Sequence, residues 1–150
     1  MIQVVTYQNL SVCSHLIQTV ISETNSKYYS PEIIEAWKRY NSLENLEKEL
    51  KEMNFIYYQV NDIILGTGAI KENHIQKVYV LPDYQGLGIG AKLVNALEKI
   101  AQVKNYKECN LNSTINALNF YKPMGYQEEG IKTLTEGNLS VNFTKMRKSL

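Results

Sequence analysis

Three of the chain's eight glycines, Gly86, Gly88 and Gly90, fall on alternate positions within Val78–Ile100, VYVLPDYQGLGIGAKLVNALEKI, where an apolar run gives way to helical spacing. Each lowers helix stability by roughly 1 kcal/mol relative to alanine, so a helix start carrying three of them needs an offsetting role. An anion supplies one. The first turn of a helix has free backbone N–H groups and the positive end of the dipole, and absent Cβ atoms let a phosphate approach several amides. A tight turn that lets the helix lie close on a sheet is the other reading of the same residues. Downstream, Asn116-Ala117-Leu118-Asn119-Phe120-Tyr121-Lys122-Pro123-Met124-Gly125-Tyr126 combines an amide side chain, a phenol and a helix-ending Gly. Its plain reading is a short amphipathic helix with an aromatic residue packed at its end.

Neither familiar nucleotide motif fits the glycines. Gly86-Leu87-Gly88-Ile89-Gly90 is G-x-G-x-G rather than G-x-G-x-x-G, and Ala91-Lys92-Leu93 stands where a P-loop needs Lys and Ser or Thr. Cys13 and Cys109 are isolated, as are His15 and His74, so no CxxC or HxxxH spacing occurs and no metal site is expected. A net charge of +1 with Lys and Arg scattered among Asp and Glu argues against a nucleic-acid partner. The N-terminus has no basic leader or long apolar stretch, and no segment approaches a membrane span, so the expected location is cytoplasmic, with no membrane partner.

These residues need a scaffold, and 150 residues with 44% hydrophobic composition suit one domain over 1–150. Ile2–Tyr7 reads as a strand, and a helix from Asn9 or Ser11 runs to about Ser26. Ser30-Pro31 opens a second helical region, broken near Asn41-Ser42. From Phe55, three β-rich runs joined by Asn61-Asp62 and Lys71–His74 form an antiparallel meander. Leu93, Val94, Leu97, Ile100 and Ala101 give the helix after the glycines one apolar face. Lys107–Leu111 is the next strand, Thr114–Tyr121 a short helix stopped before Pro123, and two strands around Glu136-Gly137-Asn138 close the chain. The order is β-α-α-β-β-β-α-β-α-β-β.

Gln85-x-x-Gly88-x-Gly90 after Val78-Tyr79-Val80-Leu81-Pro82, followed by Asn116–Tyr126, resembles the GCN5-related N-acetyltransferase (GNAT) superfamily, with its Q/R-x-x-G-x-G/A and N-A-x-x-F-Y-x-x-x-G-F/Y segments. The resemblance implies an α/β (α+β) GNAT fold: a mixed, mostly antiparallel sheet of about seven strands with about four helices. It implies acetyl-CoA as donor, with Gln85, Gly86, Leu87, Gly88, Ile89, Gly90 and Ala91 at the pyrophosphate, and Val78, Tyr79 and Val80 along the acetyl-pantetheine arm, where strands four and five splay. Asn116 meets that arm and Tyr121 sits beside the sulfur.

The implied reaction is direct attack of a small-molecule or peptide amine on the acetyl group through a tetrahedral intermediate. A Lys-like amine of pKa about 10.4 is neutral in roughly one molecule per thousand near pH 7.4, equivalent to about 4 kcal/mol of barrier. Tyr121, a phenol, is the expected acid for the departing thiolate. Strand four lacks the base carboxylate of some relatives, which leaves Glu23, Glu32, Glu72, His74 or water. Tyr28, Tyr29 and Trp37 are candidates for an acceptor pocket, although a Tyr/Trp cluster at helical spacing is more often core. A noncatalytic acyl-CoA-binding or sensing module is the alternative function. The resemblance also leaves a homodimer open, without independent support from the sequence.

Overall fold

Turn chemistry sets the frame of the sheet. Asn61 and Asp62 both take positive φ (50° and 64°), the conformation of a tight two-residue hairpin whose twist matches that of its strands. They join β2 (Asn54–Val60) to β3 (Ile63–Lys71), and a second turn leads to β4 (His74–Val80). The structure, a computed structural model, describes residues 1–150. With β1 (Ile2–Val4), β5 (Glu108–Ser113), β6 (Gln127–Glu136) and β7 (Leu139–Ser149), these strands form one seven-stranded sheet in the order β1-β2-β3-β4-β5-β7-β6. Every pairing is antiparallel except β4 with β5.

The helices follow the expected boundaries with two corrections. Helix α1 spans Leu10–Glu23, and α2 (Pro31–Tyr40) starts as expected, with Ser30 Oγ accepting from the Ile33 amide. The break at Asn41-Ser42 separates a further helix, α3 (Leu43–Glu49), because Ser42 Oγ caps it by accepting from the Asn45 amide at 3.2 Å. After α4 (Ile89–Val103), the expected helix over Thr114–Tyr121 is a 3-10 turn (Ile115–Ala117) followed by a single α turn, α5 (Leu118–Tyr121). Pro123 has no N–H to extend α5, and another 3-10 turn carries the chain to Gly125. There are thus five α-helices rather than about four. None is long and apolar enough to cross a membrane.

Two apolar layers sandwich the sheet. On one face α4 buries Leu93, Val94, Leu97 and Ala101, each fully inaccessible, against Ile70, Ile75 and Leu111. The approach is close: a Cβ on Gly68 of β3 would lie 3.1 Å from Leu97 Cδ1. On the other face α1, α2 and α3 bring Ile17, Ile21, Ile34 and Leu46 onto Phe55 and Ala69. Burying such side chains contributes about 1.5–3 kcal/mol each before the entropy of ordering them.

The cysteines belong to these layers and are unpaired. Burial pushes the Cys13 thiol up to about 12 and, with help from Glu98, the Cys109 thiol up to about 11. The unfolded thiols ionise first, from their ordinary value of 9.0, so this contribution to stability is complete below pH 9 and lost as pH rises. By pH 11 the loss is about 3 kcal/mol for Cys13 and about 2 kcal/mol for Cys109. Urea unfolding of Cys13→Ala should therefore show a drop between pH 8.5 and 11 that is smaller by about 3 kcal/mol than that of the parent chain. Equal drops would exclude Cys13 as a source of alkaline instability.

Candidate active site

The site begins where β4 and β5 part. Their parallel pairing is limited to His74 with Asn110 and Ile75 with Leu111, so Gln76–Val80 has no strand partner on that side. A β-bulge sharpens the divergence: Thr67 of β3 faces Tyr79, while Ala69 faces Gln76. Lys77 takes φ 56°, a left-handed conformation that a non-glycine residue adopts at a cost of order 1–2 kcal/mol. Three contacts hold it there. Thr67 Oγ1 donates to the Lys77 carbonyl at 2.9 Å, and Lys77 Nζ donates to Asn41 Oδ1 at 2.9 Å while pairing with Glu49 Oε2 at 3.2 Å.

The separated strands open a cleft of about 680 Å³. From β4 it is lined by Val78, Tyr79 and Val80, and from the following loop and helix by Gln85, Gly86, Gly88, Gly90 and Ala91. Asn116 and Tyr121 line it from the segment after β5. The remaining two expected cofactor residues lie otherwise: Leu87 is 67% exposed outside the lining, and the Ile89 side chain packs into the core beneath α4.

The glycines have distinct physical jobs. Gly86 and Gly88 adopt φ 78° and 86°, and a Cβ on either would meet no atom within 4 Å, so backbone conformation demands glycine and open space lies before them. Gly88 caps α4, whose first turn-to-turn bond runs from the Lys92 amide to Gly88 O at 3.1 Å. The amides of Ile89, Gly90 and Ala91 precede that bond and have no carbonyl upstream within the helix. Gly90 answers to packing: its Cβ would lie 3.0 Å from Phe120 Cζ. Gln85 closes this end by donating from Nε2 to Val80 O at 2.9 Å and to Thr24 Oγ1 at 3.3 Å.

Asn116 Oδ1 is buried without a hydrogen-bond partner, an acceptor for a ligand N–H in the cleft. Tyr121 is 7% exposed, its ring packed edge-on against Phe120 (4.8 Å between centroids) and Tyr126 (5.7 Å), and its hydroxyl makes no hydrogen bond within the protein. Burial, then the neighbouring Tyr79, raises its pKa, so the phenol keeps its proton across the neutral range. Tyr79 is likewise raised by burial, while its oxygen accepts from Trp37 Nε1 at 2.9 Å.

The base candidates do not come together here. Glu23, Glu32, Glu72 and His74 all lie outside the lining, and His74 Nδ1 is engaged with Asn110 Oδ1. No Asp, Glu or His lines the cleft. Of the aromatic acceptor candidates Trp37 lines it, while Tyr29 packs against Trp37 at 5.5 Å and accepts from the Ile115 amide through its hydroxyl. Tyr28 is 54% exposed and outside.

Sequence reasoning overlooked Lys77, Asn41 and Asn25. A signal for the first existed: Ile75 and Val78 share the α4 face although three residues apart, a break in strand alternation that marks a bulge. The Lys77 side chain is 8% exposed, and burial lowers its pKa against the opposing pull of Glu49. Removing Glu49 leaves that ammonium with Asn41 alone. Glu49→Gln should cost about 1–3 kcal/mol near pH 7, less than a fully buried pair because Glu49 is 35% exposed. A depressed lysine pKa means the unfolded chain binds the extra proton, so the variant should recover stability relative to the parent as pH rises toward the ordinary lysine value. Urea titrations at pH 7 and 9.5 measure this, and a deficit that does not shrink would remove Lys77 as its cause.

The model of the Acetyltransferase (GNAT) domain matches residues 25–150. An uncharacterized acetyltransferase of Streptococcus pyogenes serotype M1 is 32% identical over 74 residues, 49% of this chain and 52% of that protein, so the chain spans about half the length of the curated relatives it matches. Among solved structures, a GCN5-related N-acetyltransferase from Rhodopseudomonas palustris superposes with a TM-score of 0.93 at 24% identity, covering 100% of this chain and 95% of that one. PaiA N-acetyltransferase from Thermoplasma acidophilum, in complex with coenzyme A, gives 0.82 at 23% identity, covering 100% and 99%. The cleft thus lies within a fold shared with these structures, and because the family model spans residues 25–150 the chain belongs to the GNAT acetyltransferase family.

Proposed function

We propose that the chain is an acetyl-CoA-dependent N-acetyltransferase that acts on a primary amine of a small molecule or peptide. One observation carries the reading: Tyr121, whose hydroxyl makes no hydrogen bond within the protein, lines the same cleft as Gly88, Gly90 and Ala91 at the start of α4, which suits an acid and an anion site sharing one ligand. The cleft residues suit the donor. Gly86 and Gly88 have open space where a phosphate would approach, Asn116 Oδ1 lacks a partner, and Gln76–Val80 offers backbone groups no strand has claimed. Acetyl-CoA supplies an activated thioester.

The protein's own groups do the rest. First-turn amides of α4 hold the pyrophosphate, β4 backbone aligns the acetyl arm, and Tyr121 Oη donates its proton to sulfur as the carbon–sulfur bond breaks. Burial raises the phenol, so Tyr121 enters the step protonated. With no carboxylate or imidazole in the cleft, the proton lost by the attacking nitrogen leaves through water, which restores the proton that Tyr121 gave to sulfur. We place the activity in the cytoplasm, whose reducing conditions suit two free cysteines.

The test measures free thiol released from acetyl-CoA with a panel of amines, alongside competition of CoA with ATP and NAD for binding. Thiol release dependent on an amine supports the proposal. Tight CoA binding without turnover on any amine returns the noncatalytic acyl-CoA module, and preference for ATP or NAD rejects the CoA assignment.

A further inference from the structure

The acceptor half of the cleft has a chemistry of its own, and its bearing on the choice of amine rests on the N-acetyltransferase reading. Across β4 from α4, the lining comes from the end of α1 and from α2: Thr24, Asn25 and Trp37, with Lys77 and Tyr79 between. Trp37 is the centre of an aromatic group, edge-on to Tyr29 at 5.5 Å and to Phe143 at 5.7 Å. Asn25 is 5% exposed and its Oδ1 has no hydrogen-bond partner, which leaves an uncharged acceptor for an N–H.

Countercharge for a cation is missing. The lining contains no carboxylate; Glu49 is paired with Lys77 at 3.2 Å, Glu136, in the small apolar pocket that shares Trp37, is paired with Arg39 at 3.0 Å, and Glu23, next to Thr24, lies outside the lining. The one basic side chain in the lining, Lys77, is itself a buried cation. A second ammonium entering here would lose its hydration without a partner, a cost that multiplies with each further charge. A site without a base also favours amines that arrive neutral. At pH 7.4 about a quarter of an α-amine of pKa about 7.8 is neutral, against about one in a thousand for an alkylamine of pKa about 10.4.

We infer that the acceptor is a lone, weakly basic amine, such as an α-amine, borne next to an aromatic or apolar group that packs on Trp37, and not a polycation such as a polyamine or aminoglycoside. The test compares phenylalaninamide, alaninamide, spermidine and kanamycin as acceptors at pH 7.4, with thiol release as the signal. We expect kcat/KM for phenylalaninamide to exceed that for spermidine and kanamycin at least 100-fold, to exceed that for alaninamide, and to level off with pH near the amine's own pKa. Asn25→Asp, which keeps the shape and adds a carboxylate, should raise spermidine use relative to phenylalaninamide at least 10-fold. Spermidine or kanamycin equalling phenylalaninamide in the parent chain overturns the inference and leaves acetyl transfer standing. An unchanged ratio in a folded Asn25→Asp variant also overturns it. If CoA binds and none of these four amines reacts, the acceptor class is overturned, and the wider amine panel decides whether acetyl transfer itself stands.

Discussion

Tyr121→Phe is expected to lower the chemical step of acetyl transfer by about 10²- to 10⁴-fold, the range associated with losing a positioned general acid, while acetyl-CoA affinity stays within a few-fold. The substitution removes one oxygen and keeps the ring in its packing against Phe120 and Tyr126. That oxygen makes no hydrogen bond within the protein, so its removal strands no partner and thermal stability should be unchanged. The pattern is diagnostic because a structural role would move stability first, and a noncatalytic binding module would show no change at all. Tyr79→Phe is the contrast: it deletes the oxygen that accepts from Trp37 Nε1, so it should cost stability where Tyr121→Phe does not. Single-turnover thiol release with saturating amine separates chemistry from product release. A rate within threefold of the parent's would take Tyr121 out of the mechanism.

The sequence made much of this legible, for reasons that differ by element. Local punctuation placed the helices and hairpins: Ser30-Pro31, Ser42 and Asn61-Asp62 act through caps and backbone angles within a few residues. The two motifs brought Gly88 and Tyr121 to one cleft by resemblance, which carries long-range geometry that periodicity does not contain. The loss of pairing after Ile75 depends on β5, whose Leu111 lies 36 residues onward, and on a bulge whose sign in sequence is one displaced valine. Buried charge was the least legible feature. Lys77 looks like an ordinary strand-surface lysine until the Asn41 break in the helices brings an amide and Glu49 over it. The base candidates failed for the same reason, since acidity of type says nothing about which way a helix end or turn faces.

The glycines give the second large effect, and the structure divides what alternate spacing alone would treat as equivalent. Gly88→Ala should cost about 1–2 kcal/mol of stability, because φ 86° is unfavourable for any residue with a Cβ even though nothing stands in its way. Gly88→Asn should cost less, since Asn enters the left-handed region more readily. Gly90 has no such conformational demand, and alanine there gains helix propensity but asks Phe120 to yield by a few tenths of an ångström. A branched side chain asks for more than the ring can give. Gly90→Val should therefore push Phe120, whose ring lies 4.8 Å from that of Tyr121, and carry the acid away from the sulfur. A displacement of about 1 Å is enough for about a 100-fold loss in rate. The Gly90→Val variant should lose turnover to that extent together with CoA affinity, whereas Gly88→Ala should lose affinity and stability with a smaller effect on the bound-state rate. Combining Gly90→Val with Phe120→Leu frees the space, so a rate recovering at least 10-fold would show that the glycine loop and Tyr121 are coupled through that ring; additive losses would show that each acts alone.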